Sequence, residues 1–205
     1  MKTIGICASG PSLTREDCQT LKVSDVIIAV NDSWRMVDCN ILYAADQHWW
    51  SHHINDINIG FTGRRVSCDP LKDGKRSNSN WNNSDPIEWG VEILGCEIGE
   101  RGLSRNKERV HSGGNSGYQA INLAYHLLGE VGGRVILLGY DMHNHSGKSH
   151  WFGDHPTTFV NNSKPDRFID AFRSIKPDDY GLEIINCSRV TALDAFPVRK
   201  LEDVI

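Results

Sequence analysis

No stretch of this sequence approaches the length of a membrane-spanning helix, and Met1, Lys2 and Thr3 lead straight into a short apolar strand instead of a signal-peptide core. A soluble, cytoplasmic protein is expected. Nor do the six cysteines, Cys7, Cys18, Cys39, Cys68, Cys96 and Cys187, contain a Cys-x-x-Cys pair or the spacing of a disulfide framework. Several fall in or beside apolar runs, so reduced, buried thiols are expected. Charge of one sign is also missing: 22 basic against 26 acidic side chains give a net −4, with an isoelectric point near 6.1. That balance argues against a general binder of nucleic-acid backbones and leaves free mononucleotides as ligands. Internal repeats, coiled-coil heptads and the G-x-G-x-x-G and H-E-x-x-H motifs are absent too.

What the 205 residues do contain is an alternation of Val/Ile-rich strands and helices, in a length that one covered α/β domain fills. Strands are read at 3–7, 26–30, 41–45, 134–138 and 182–187, and helices at 13–21, 118–128 and 166–175. Ser12 or Thr14 can cap the first helix, whose first turn carries Glu16 and Asp17. The pattern predicts a single Rossmann-like domain over 1–205, with a doubly wound, mainly parallel sheet. Between Asp69 and Arg109 the composition turns polar, and this stretch reads as an insertion or lid with a short helix near 86–94.

Chemistry concentrates after the strand at 134–138, where His143, His145, His150 and His155 are four of the nine histidines and share a loop with Asp141 and Asp154. Ligands of α/β folds bind beyond the carboxyl ends of strands, so this loop is the first candidate. One imidazole there suffices for a general base; a His/Asp metal site and an ordered polar flap are the alternatives. Two small-residue turns accompany it. Ser9, Gly10, Pro11 and Ser12 follow the first strand, while Asn115, Ser116 and Gly117 end a glycine-rich turn before a helix. Both let a phosphate approach backbone N–H groups at a helix start, although a tight strand-to-helix connection uses the same residues. Asn31 and Asp46 close neighbouring strands and can read a base or ribose, or equally cap the helices that follow. His48 and His52 share helical spacing, but no Glu stands between them, and Trp49 and Trp50 suit packing against the sheet.

Taken in order, strand-x-Gly10-Pro11-Ser12-Leu13, strand-Asn31, Ser116-Gly117-helix, strand-Gly139-x-Asp141 and Ser149-His150-Trp151-Phe152-Gly153-Asp154-His155 form a pattern. It resembles the bacterial CMP-sialic-acid-dependent sialyltransferases. It is at least as similar to the 6-hydroxymethylpterin diphosphokinase-like family, whose Rossmann-like members include motility-associated factors and short phage-type proteins. The resemblance covers most of the chain outside 69–109. It implies nucleotide contacts at Ser9 (Asn in the sialyltransferases), Gly10 to Ser12, Asn31 and Asn115 to Gly117, with Gly113 replacing a basic residue. It also implies a catalytic histidine after the aromatic-x-Gly step, which matches Asp154, or His155 with a one-residue shift. The family's paired tyrosines, which stabilise the departing phosphate, are replaced by Met142 and His143.

These readings combine into a nucleotide-dependent transferase, glycosyltransferase-like, that uses a nucleotide or nucleotide-sugar donor and a small-molecule or glycan acceptor. In this scheme His155 is the base, supported by Asp154 and His150, and Asp141 joins the nucleotide contacts. His143 and His145 meet the leaving phosphate. No cofactor is assigned to it, and homo-oligomers are compatible with it. One alternative is a diphosphokinase with Mg²⁺ on Asp141, Asp154 or Asp46; another is a non-catalytic nucleotide-binding or virion-associated module.

Overall fold

A computed structural model describes residues 1–77, 81, 86–144, 147–153 and 165–205. Their strands form one nine-stranded sheet in the order β7-β6-β4-β3-β2-β1-β8-β9, with β5 paired to β4 off this path. The strands are β1 (Thr3–Cys7), β2 (Val26–Val30), β3 (Ile41–Tyr43), β4 (Arg64–Lys72), β5 (Lys75–Arg76), β6 (Val91–Glu97), β7 (Arg109–His111), β8 (Gly133–Leu138) and β9 (Leu182–Asn186). All pairings are parallel except the β4–β5 hairpin, whose turn residues Asp73 and Gly74 both take positive φ. The α/β, Rossmann-like, doubly wound class expected from the alternation is therefore the class observed.

Helices α1 (Arg15–Thr20), α2 (Gln47–Gly60), α3 (Ser116–Leu128) and α4 (Ile169–Arg173) cover the two faces. Alternate residues of the central strands divide between them, as the period of two demands. Ile4 and Ile6 of β1 pack with Ile121 and Ala124 of α3 and Phe172 of α4. Cys7 packs on the other face with Cys18 of α1 and Leu21, and Gly5 is a glycine because a Cβ there would lie 2.6 Å from the Leu21 side chain. Further along that face, Trp49 and Trp50 of α2 bury against Leu42 and Ala44, so the tryptophans do pack the helix on the sheet. The cysteines are free thiols, five of them buried and Cys39 half-buried. Among the described residues no helix is long and apolar enough to cross a membrane.

The stretch 69–109 departs from expectation. Residues 86–90 form turns rather than a helix, and Val91–Glu97 is strand β6, paired with β4 over six residue pairs. Leu94, Cys96 and Leu103 belong to the main core. Composition misled here because β6 lies near the sheet edge, where an exposed position takes Glu92 and a half-buried one Glu97 beside apolar neighbours. The most polar part of that stretch, 78–80 and 82–85, lies outside the described residues.

From β1 the chain steps outward through β2, β3, β4, β6 and β7. It then returns through α3 to lay β8 on the other side of β1. The strand order thus reverses between β1 and β8. In open parallel sheets that reversal parts the loops above the strand ends and opens a crevice.

Candidate functional site

At this reversal lies a cleft of about 110 Å³ with four contributors: Ala8 to Pro11 after β1, Val30 and Asn31 at the end of β2, Asn115 to Gly117 opening α3, and the loop after β8. From that loop come Gly139, Asp141, Met142, His143, Ser149 and His150. Ten of the positions singled out in the sequence meet here: Ser9, Gly10, Pro11, Asn31, Asn115, Ser116, Gly117, Asp141, His143 and His150.

The β1 and β8 turns are pressed together. Gly10 N–H donates to the Gly139 carbonyl at 2.8 Å, and a Cβ on Gly10 would lie 2.4 Å from both that oxygen and Asp141 Oδ1. Gly139 takes φ +69°, where its own Cβ would meet the Ala8 carbonyl at 2.5 Å. Asp141 is almost wholly buried and accepts from Ser12 twice, from the N–H at 2.7 Å and from the hydroxyl at 2.7 Å. Ser12 is consequently turned into the protein and is not among the residues that line the cleft. Helix α1 also starts further away, at Arg15, and Thr14, not Ser12, caps it by accepting from Asp17 N–H at 3.2 Å. Of the two helix starts expected to face the ligand, only that of α3 does so.

Asn115 is the N-cap of α3; its carboxamide oxygen accepts from Gly117 N–H at 2.7 Å and Tyr118 N–H at 3.2 Å. The Ser116 hydroxyl accepts from Ala45 N–H at 3.3 Å and so fastens this helix start to the end of β3. Thirteen aligned peptides direct the positive end of their dipole at the cleft. Asn31 and Met142, two of the three described non-glycine residues with positive φ (+50° and +53°), both line it. Backbone strain of this kind costs about 1–3 kcal/mol per residue and gathers at functional sites.

The loop after β8 folds back over the β1 turn. Trp151 N–H donates to the Ser9 carbonyl at 3.1 Å, and its indole N–H reaches the Ser33 hydroxyl at 3.4 Å. His150 stacks on Phe152, with ring centroids 5.0 Å apart, and its Nδ1 is 3.1 Å from the Ser149 hydroxyl. His145, Asp154 and His155 lie outside the described residues. Among the described residues Asp141 is the one carboxylate lining the cleft, and both its oxygens already accept from Ser12. Of the carboxylates named for Mg²⁺, Asp141 lines the cleft, Asp46 does not, and Asp154 lies outside the described residues.

Asp46 is not brought to the cleft. It is exposed and caps α2, accepting from His48 N–H at 2.8 Å, the capping role that its sequence position equally allowed. The neighbouring Asp32 is buried, accepts from the Trp49 indole N–H at 2.9 Å and lies 3.5 Å from His53 Nε2, so it joins β2 to α2. Ala8 and Val30 were not singled out as lining residues, and Met142 and Ser149 entered only through the resemblance. The first two end apolar strands and gave a usable signal, whereas nothing in the sequence marks the positive φ of Met142.

No family model, curated protein or solved structure matches this chain.

Proposed function

We propose that the protein is a nucleotide-dependent transferase, glycosyltransferase-like, whose cleft holds the phosphate-bearing part of a nucleotide-activated donor. The observation that carries this reading is the lining of the cleft at the strand-order reversal. A helix start, two small-residue turns and a histidine-bearing loop meet there. The positive end of α3, with the Ser9 and Ser116 hydroxyls beside it, meets the phosphate, Gly10 and Pro11 keep that wall free of bulky side chains, and Asn31 orients the sugar or base.

In the proposed reaction an acceptor hydroxyl on a small molecule or glycan attacks the donor's activated carbon. The bond from that carbon to the phosphate oxygen breaks, and the phosphate leaves with the nucleotide. His155 takes the hydroxyl proton, Asp154 orients its imidazole, and His143, His145 and His150 meet the charge that grows on the phosphate. Two aromatic residues and Gly153 precede Asp154 and His155, as in the pattern from which the role is inferred.

A thermal-shift panel of CMP, CDP, UDP, GDP, ADP and ATP, with and without Mg²⁺, tests the binding half. At a hundredfold excess over Kd, a ligand adds about 2.7 kcal/mol, or roughly 6 °C for a chain of this length. No shift with any nucleotide sinks the reading. With the donor found, His155→Ala abolishes transfer but leaves donor binding intact; full activity in that variant removes His155 as base. Activity with ATP that EDTA abolishes moves the assignment to pyrophosphoryl transfer, and binding without turnover moves it to a non-catalytic nucleotide-binding module.

A further inference from the structure

Asp141 ties the β8 turn to the β1 turn, and the residue before it makes the corresponding tie to α3. Tyr140 is fully buried and outside the cleft lining, yet its polar groups join two parts of the fold. Its N–H donates to the Ser188 hydroxyl at 2.7 Å, and its carbonyl accepts from the Thr191 hydroxyl at 2.7 Å, which anchors it from behind to the segment after β9. In front, its phenol donates to the Gly117 carbonyl at 2.9 Å, in the first turn of α3. The ring itself rests on that turn, since a Cβ on Gly117 would lie 3.0 Å from Tyr140 Cε1, and its far side meets Phe172 edge-on with centroids 6.0 Å apart. Burial pushes the phenol well above the usual tyrosine range, so the hydroxyl stays a donor.

We infer that Tyr140 is a positioning residue: it sets the separation between the α3 N-terminus and the β8 turn, and thereby how tightly the cleft grips a phosphate-bearing ligand. The inference rests on the proposed reading of the cleft as a phosphate site. The physical reason is preorganisation. Two walls that each contribute a few hydrogen bonds give full affinity only when their spacing is fixed before the ligand arrives.

Tyr118 supplies an internal control. It is equally buried and belongs to α3 itself, but its hydroxyl donates to the Gly102 carbonyl, which does not line the cleft. The experiment compares wild type, Tyr140→Phe and Tyr118→Phe by CDP titration, melting temperature and amide hydrogen exchange. Tyr140→Phe is expected to weaken CDP binding by about three- to tenfold, the range one neutral hydrogen bond spans. It is also expected to speed exchange over residues 116–121. Tyr118→Phe is expected to lower the melting temperature without altering CDP affinity. Wild-type affinity in Tyr140→Phe overturns the inference, and so does equal weakening in both variants, which would mean general loosening. If wild type itself fails to bind CDP, the phosphate reading is what fails for that nucleotide. Exchange then decides on Tyr140, because unchanged protection over 116–121 in Tyr140→Phe overturns its positioning role.

Discussion

A methyl group added at Gly10 tests how closely the two turns of the cleft must approach. The new Cβ would stand 2.4 Å from Asp141 Oδ1, 2.4 Å from the Gly139 carbonyl oxygen and 2.6 Å from Asp141 Cγ. Comfortable contacts of carbon lie near 3.5–4.0 Å, so something has to retreat by roughly 1 Å. Neither neighbour is a loose side-chain end: Asp141 is held by two hydrogen bonds from Ser12, and Gly139 by the bond from Gly10 itself. Overpacking costs about 1–3 kcal/mol, and weakening a charge-assisted hydrogen bond adds about 1.5–3 kcal/mol. Allowing for partial overlap, Gly10→Ala is expected to lose about 2–5 kcal/mol. With an unfolding entropy of about 2.1 cal/mol/K per residue over 205 residues, that lowers Tm by roughly 5–12 °C. Scanning calorimetry measures the shift, and nucleotide titration of the folded variant measures the expected loss of affinity. In an Asp141→Ala background two of the three clashes vanish, so the same methyl should cost at least about 1 kcal/mol less. A Tm within about 1 °C of wild type, or full additivity with Asp141→Ala, would refute the close-approach argument.

The two helix caps give a second contrast. Asn115→Ala and Asp46→Ala should each cost about 1 kcal/mol, but only Asn115→Ala should weaken nucleotide binding, since Asn115 lines the cleft and Asp46 does not; equal effects on affinity contradict this. Asp32→Ala leaves the buried Trp49 indole N–H without its acceptor and should cost about 1–3 kcal/mol in chemical denaturation, with m unchanged. Acid sensitivity follows from two histidines. Burial holds His126 below the ordinary imidazole value, aided by Lys107 and His111 and opposed by the Arg109 carbonyl. Burial likewise lowers His53, against Asp32. As pH falls below about 6.5, the unfolded chain takes up these protons first, so stability is full above that pH and is lost toward the depressed native values. Melting temperatures should therefore fall from pH 7 to 5, and His53→Gln with His126→Gln should flatten the slope; an unchanged slope counts against the assignment.

Strands β1, β2 and β8 were legible because central parallel strands are buried on both faces and read as unbroken apolar runs. Strand β6 was not, since Glu92 and Glu97 interrupt it and a polar stretch precedes it. At the cleft, glycines and small residues after strands could be read, because close backbone approach admits little else. Ser12 and Asp46 could not be placed on or off the cleft from the sequence, because a side chain that caps a helix or satisfies a buried carboxylate has the same chemistry as one that binds a substrate. Tyr140 carried no such signal, as its partner carbonyl at Gly117 is 23 positions away and only the tertiary fold joins them.

The neighbouring placement of β1 and β8 also governs when the cleft can exist. Its walls come from residues near 8–11, 30–31, 115–117, 139–143 and 149–150, and the pairing that joins them sets Ile6 beside Leu137. Closing so long a loop delays this contact relative to the local β1–β2 pairing, and long-range parallel pairing is slow to form. A partly folded chain can therefore hold β1 to β4 and still have no cleft, so nucleotide binding during refolding should be gained only as β8 docks. A ligand of this cleft reports completion of the fold, and it stabilises the finished sheet without favouring its precursors.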